Sequence, residues 1–137
     1  MGITVDWLVE QRVLHAYAYD ELTIEALQNS SEKARSYIRS GTPLVHDIFD
    51  MRHMTKYPIR LKEILSVTSF LKEEKLGWFI IVADSPTIRF LASVTVQFYG
   101  GRFRAFTDPE EAIAFLQDID STLPEFPAYT LPVVERS

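Results

Sequence analysis

The apolar positions along the chain change period several times, and each change marks an element. Residues 3–10 (ITVDWLVE) and 12–19 (RVLHAYAY) alternate with a period of two and predict two strands. In the second, Val13, His15, Tyr17 and Tyr19 share one face, and Leu14, Ala16 and Ala18 share the other. The join near Gln11-Arg12 is short, so the pair is expected to be antiparallel, although no glycine stands in the turn. Residues 20–41 then read as a helix. Thr23 is placed to cap it, Glu25 lies in its first turn, Gly41 ends it, and Ile24, Leu27, Ala34, Tyr37 and Ile38 form its apolar stripe. Residues 43–50 (PLVHDIFD) predict a buried strand. Residues 59–77 predict a second helix, with Leu61, Ile64, Leu65, Thr68 and Leu71 at helical spacing and Gly77 at the stop. The unbroken bulky run in WFIIVAD (78–84) predicts a strand covered on both faces, as in a parallel or mixed sheet.

Residues 85–106 carry two patterns at once. Ser85 and Pro86 open a helix on which Ile88, Leu91, Ala92, Thr95, Phe98 and Tyr99 share a face. The same letters, VTVQFY-GG-RFRAF, also read as a hairpin around Gly100-Gly101. Residues 102–106 are a strand in both readings. Residues 107–119 (TDPEEAIAFLQDI) predict a helix capped by Thr107 or Asp108, opened by Pro109, with Glu110 and Glu111 at its positive end. The segment 121–137 carries three of the seven prolines and is expected to be extended, either docked through Phe126 and Tyr129 or loose.

The order is therefore β-β-α-β-α-β-α-β-α, which predicts an α/β protein with a mixed five-stranded sheet and about four helices. The expected organisation is a single domain over residues 1–121 and a proline-rich tail over 122–137. With 137 residues, 47% hydrophobic and 24% charged, the chain has the balance of one globular domain with a real core. A net charge of −5 argues against a general nucleic-acid binder, which needs basic surface. The absence of cysteine excludes disulfides, zinc–thiolate sites and thiol catalysis, and makes a cytoplasmic location the simplest expectation. No run approaches the roughly 18 apolar residues that cross a bilayer, the N-terminus lacks the pattern of a secretory signal, and Asp6 stands where a myristoylation pattern needs Ser or Thr. No membrane partner is therefore expected.

The stretch 46–58, HDIFDMRHMTKYP, gathers most of the candidate chemistry. His46, Asp47, Asp50 and His53 are metal-ligand types, but on a strand His46 and Asp50 point to one face and Asp47 to the other, so no metal is expected. His15 can meet His46 only if their strands are neighbours. Asp84 and Asp50 end two strands and are expected near one rim of the sheet, where paired carboxylates can do acid–base work but more often cap helices. No nucleophile elbow, phosphate-binding loop, dinucleotide fingerprint or zinc-protease motif is present, so neither catalysis nor a cofactor is expected.

Four features together resemble the STAS and SpoIIAA-like family: YDELTIEAL after a hairpin, LVHDIFDM ending a central strand in Asp, GWFIIVAD, and the closing RFRAFTDPEEAIAFL. The resemblance runs over about residues 10–120. It implies a helix rather than a hairpin over 86–99, and a non-enzymatic regulatory or protein-interaction module. The family's phosphorylatable Asp-Ser-Ser-Gly has no counterpart here. The corresponding DMRHMTKYPIR offers only Thr55, whose phosphate would face Arg52, Lys56 and Arg60.

The expected interaction surface is therefore Asp50, Arg52, His53, Thr55, Lys56 and Arg60, in a loop taking the place of the phospho-switch. Basic residues cluster over 52–62, while residues 105–135 hold no Lys or Arg and seven acids from Asp108 to Glu135. Such polarity suits a protein partner or head-to-tail pairing into a homodimer. The many aromatics offer an alternative: a small apolar or lipid-like ligand held in a pocket between helices and sheet.

Overall fold

The computed structural model describes residues 2–134, and Met1 and 135–137 lie outside it. Ten elements follow in order: β1 (Ile3–Val9), β2 (Val13–Glu21), α1 (Ile24–Ser40), β3 (Val45–Lys56), α2 (Leu61–Ser66), a 3-10 turn (Ser69–Lys72), β4 (Leu76–Val82), α3 (Pro86–Phe98), β5 (Arg102–Phe106) and α4 (Pro109–Ile119). The strands form one five-stranded sheet in sequence order, with β1 antiparallel to β2 and every later pair parallel. Each parallel step needs a crossover, and the α1, α2 and α3 crossovers all pack on one face. Helix α4, which follows the last strand, covers part of the other face.

Local chemistry explains the boundaries. The β1–β2 turn manages without glycine because Gln11 itself takes a positive φ of 66° and the Arg12 amide bonds the Val9 carbonyl at 3.0 Å. The Thr23 hydroxyl accepts from the Ala26 amide and caps α1. The hairpin alternative for 93–106 fails at Gly100, which has φ 73° just beyond a helix end. Its amide bonds Gln97 O and the Gly101 amide bonds Val96 O, both at 3.0 Å. That pairing is a Schellman stop, so the two glycines end α3 and do not turn a hairpin.

Residues 20 and 21, expected in the first helix, end β2, and the strand expected over 78–84 is Leu76–Val82. Two expected elements change more. The helix expected over 59–77 is only α2 and a 3-10 turn. Arg60, at its N-cap, makes no side-chain capping bond. The Thr68 hydroxyl turns back on Ile64 O, and Phe70 and Leu71 dive into the core. The strand expected to end at Asp50 instead runs on to Lys56, with two register shifts against β2. Residues 51–56 are therefore strand, and the expected loop shrinks to residues 57–60.

Candidate functional site

The two faces of the sheet offer two different sites, and β3 supplies side chains to both. Along its first half Val45, Asp47 and Phe49 point to the three-helix face, and His46, Ile48 and Asp50 to the α4 face. Between Asp50 and His53 the strand gains a residue on β2, since Tyr17 pairs with Asp50 and Tyr19 with His53. This bulge sends Met51 and Met54 to the helix side and Arg52 and His53 to the α4 side.

On the three-helix face the core is incompletely filled. A cavity of about 80 Å³ lies between α1, α2, α3 and the sheet, open on one side. Phe49, Phe70, Phe79 and Ile88 form its depth, and Met51, Met54, Tyr57 and Leu91 also line it. Its walls are mostly apolar, and the hydroxyls of Thr68 and Thr95 are spent on the carbonyls of Ile64 and Leu91. The exposed side chains of Ile59 and Phe90 adjoin lining residues in sequence. Among the described residues the buried side-chain atoms without a hydrogen bond are all on this side: Ser31 Oγ and Arg35 Nε on α1, and Asp47 Oδ1 on β3. Asp47 is fully buried, and burial pushes its carboxyl up to about 7.

On the α4 face the polar groups are satisfied. His46 accepts the Trp78 amide at Nδ1 (3.0 Å), so its proton sits on Nε2, which donates to Asp120 at 2.9 Å. This close packing requires Gly77, whose added Cβ would stand 2.5 Å from the His46 ring. Burial lowers the His46 pKa despite the Asp120 carboxylate. Burial would raise Asp120, but bonds from Thr122 and His46 bring it down to about 2. Arg12 completes the cluster, donating to Asp120 at 3.1 Å and to the Thr122 carbonyl at 3.2 Å.

A second network lies along the same face. The Tyr129 hydroxyl donates to Asp50 Oδ2 at 2.8 Å. Its single proton being used, it accepts from His15 Nε2 at 2.6 Å. Arg52 grips Asp50 with Nε at 3.0 Å and a second nitrogen at 2.7 Å. Burial alone would raise the Asp50 carboxyl, yet the bonds from Arg52 and Tyr129 hold it below the usual carboxylate range. Burial lowers the His15 pKa, against the pull of Asp50.

These contacts redistribute the expected site residues. Asp50 is fully buried beneath Tyr129 and Arg52 and not on an exposed loop. Arg52 is tied to it, and His53 Nδ1 meets the Tyr17 hydroxyl at 2.8 Å. Thr55, Lys56 and Arg60 are exposed, Thr55 on a strand and not at a helix start. Asp84 is exposed, and its charge is felt at Arg52. Ser85 is a helix cap. Among the described residues no three His, Asp or Glu side chains come together in a way that could hold a metal. His15 and His46 do lie on adjacent strands, but each bonds a different partner. Sequence reasoning missed Tyr129 as the partner of Asp50, a contact across 79 residues that no local pattern encodes.

No protein-family model matches the chain, and no curated protein matches it in sequence. Solved structures do match its fold. One is an uncharacterized protein of the DUF3478 family with a SpoIIAA-like fold from Shewanella loihica PV-4, at 18% identity and TM-score 0.64, over 84% of this chain and 94% of that one. The fold is SpoIIAA-like. A second match is the anti-sigma factor antagonist SpoIIAA in its unphosphorylated form, at 16% identity and TM-score 0.55, over 86% of this chain and 98% of that one. Among the described residues this SpoIIAA-like domain has no helix long and apolar enough to cross a membrane.

Proposed function

We propose that this SpoIIAA-like domain is a non-enzymatic binding module whose pocket takes a slender apolar molecule. The observation that carries the reading is the mostly apolar cavity between the helices and the sheet, whose two threonine hydroxyls are internally bonded. Its 80 Å³ is less than the roughly 150 Å³ that accommodates benzene in an engineered cavity. An alkyl chain therefore suits it better than a ring, with its polar end left at the mouth. Met51 and Met54 supply adaptable walls.

Native mass spectrometry of protein purified without added ligand tests this directly: a releasable extra mass on the folded species is expected. Thermal unfolding with 1-decanol gives a second readout, since a ligand that binds only the folded state raises the melting temperature. Ala92→Phe, which fills the cavity, should abolish the rise. A clean mass together with no thermal shift would sink the reading.

The charge distribution favours a second reading, a regulatory module that pairs with a protein, including another copy of itself. Lys56 and Arg60 are exposed at one end, and α4 carries Glu110, Glu111 and Asp118 with no basic residue. A phosphate on Thr55 would reduce the positive charge of that edge. Sedimentation over a range of concentrations should show association that weakens with added salt and with Lys56→Glu plus Arg60→Glu. A monomer under all conditions would remove the head-to-tail dimer.

A further inference from the structure

The segment after α4 crosses the sheet face opposite the apolar pocket, and over residues 121–132 its burial has a period of three. Leu123, Phe126, Tyr129 and Pro132 turn inward, while residues 121, 122, 124, 125, 127, 128, 130 and 131 are exposed. Neither a strand nor an α-helix has this period; a polyproline II helix does, with three residues per turn. Pro124, Pro127 and Pro132 favour that conformation. Among the described residues, 124–134 make no backbone–backbone hydrogen bond, so the segment is not an added strand.

Beyond the Leu123 amide, which bonds Asp120 O at 3.3 Å, side chains hold it. Leu123 and Phe126 pack on the cluster built from Val13, Ile48 and Leu116, with Trp78 and Phe115 beside them. Tyr129 stands edge-on to His15, with ring centroids 5.0 Å apart at 76°, and its hydroxyl reads the buried Asp50. Arg12 fixes the root of the segment at Asp120 and Thr122. Aromatic-lined grooves are where modules that bind proline-rich ligands receive them, and here Asp50 adds an acceptor for a tyrosine hydroxyl.

We infer that this face is a recognition groove for proline-rich segments of a partner protein, and that the chain's own tail occupies it as a built-in competitor. The ligand has the spacing of Leu123-Pro124-Glu125-Phe126-Pro127-Ala128-Tyr129: an apolar residue, an aromatic three residues on, and a tyrosine three residues further. Beyond Leu123 the described tail has no backbone–backbone bond, so it opens more readily than the sheet beneath it. Opening leaves Asp50 without its tyrosine, and a trans ligand with the same hydroxyl restores that bond. The closed fraction lowers the apparent affinity for any outside ligand. This groove is independent of the apolar pocket, which lies on the other side of the sheet.

The test uses the full chain and a fluorescent peptide, STLPEFPAYTLPVV. In a variant carrying Phe126→Ala and Tyr129→Ala the groove is vacated, and saturable peptide binding is expected at least about tenfold tighter than to the unaltered protein. The same peptide with its tyrosine replaced by phenylalanine should bind the variant more weakly. A variant that keeps its circular dichroism spectrum yet takes no peptide overturns the proposal. Should the double variant not fold, Ala128→Cys provides a unique, exposed labelling site in a chain without cysteine. Excess peptide should then displace the labelled tail and shift the dye's emission, and no shift at millimolar peptide overturns the proposal. A dimer of the unaltered protein that dissociates on adding peptide would assign the groove to a second copy's tail and overturn the partner-protein reading.

Discussion

The two faces of this sheet are built from the same strands and solve opposite problems. One has ample cover, three helices and a 3-10 turn, yet retains a cavity and a buried carboxyl with an unpaired oxygen. The other has one helix and an extended strap, yet His15, His46, Asp50 and Asp120 all have partners there. Helices laid over a sheet pack by ridges and leave gaps where they splay, whereas an extended chain can follow the surface residue by residue. A polar group is therefore easier to satisfy under a strap than under a helix.

The largest expected effect is on the strap face. Asp50→Ala leaves Arg52 and Tyr129 without their shared acceptor and should cost about 3–5 kcal/mol, measured by urea unfolding. If the loss is under about 1 kcal/mol, the network does not hold this face together. Asp47→Asn should act with the opposite sign. The Asp47 carboxyl is raised from an ordinary 3.8 to about 7 by burial, so its folded form favours the proton. Its contribution is fully present below pH 4 and is lost as pH rises through 7, with roughly 4 kcal/mol as an upper bound. The variant should gain stability at pH 8 and lose the slope between pH 4 and 7. An unchanged slope would mean that water reaches Asp47.

Tyr129→Phe removes one hydroxyl bonded to both His15 and Asp50, and should cost about 1–2 kcal/mol. His15 should then titrate nearer its ordinary pKa by NMR, because the vacated site admits water. The smallest effects come from a matched pair. Ala112→Val under α4, where Ala112 is fully buried in close packing, should cost about 1–3 kcal/mol. Ala92→Val, beside the cavity, should change stability by less than about 1 kcal/mol. Equal losses at the two sites would erase the contrast between the faces.

Elements set by local chemistry were legible in the sequence. Thr23 capping α1, Asp108 capping α4 and the bulky β4 run each act within a few residues, and all appear where the pattern put them. The fold class followed from their order. Gly100-Gly101 stood for two stop signals, and only the hydrogen bonds around it distinguish a helix end from a hairpin. The length of β3 was not legible, because its continuation past Asp50 depends on pairing with β2 and its alternation is broken by the bulge. The site was legible only as residue types. That Asp50 is buried, that Tyr129 reaches it and that Met51 and Met54 line a cavity are all facts of distance in space. The threefold spacing of Leu123, Phe126 and Tyr129 was a usable signal, visible once the prolines are taken as setting the period.

The bulge in β3 makes Arg52 a supernumerary residue. Between Tyr17 and Tyr19 the neighbouring strand takes two steps while β3 takes three, and deleting Arg52 would leave the alternation of Met51, His53 and Met54 regular. The ladder would be tidier and Asp50 would have lost its cation. In inheritance, then, the extra codon and the buried acid form one unit. A lineage that drops Arg52 is expected to drop Asp50 with it, and one that keeps the acid has reason to keep an irregular strand.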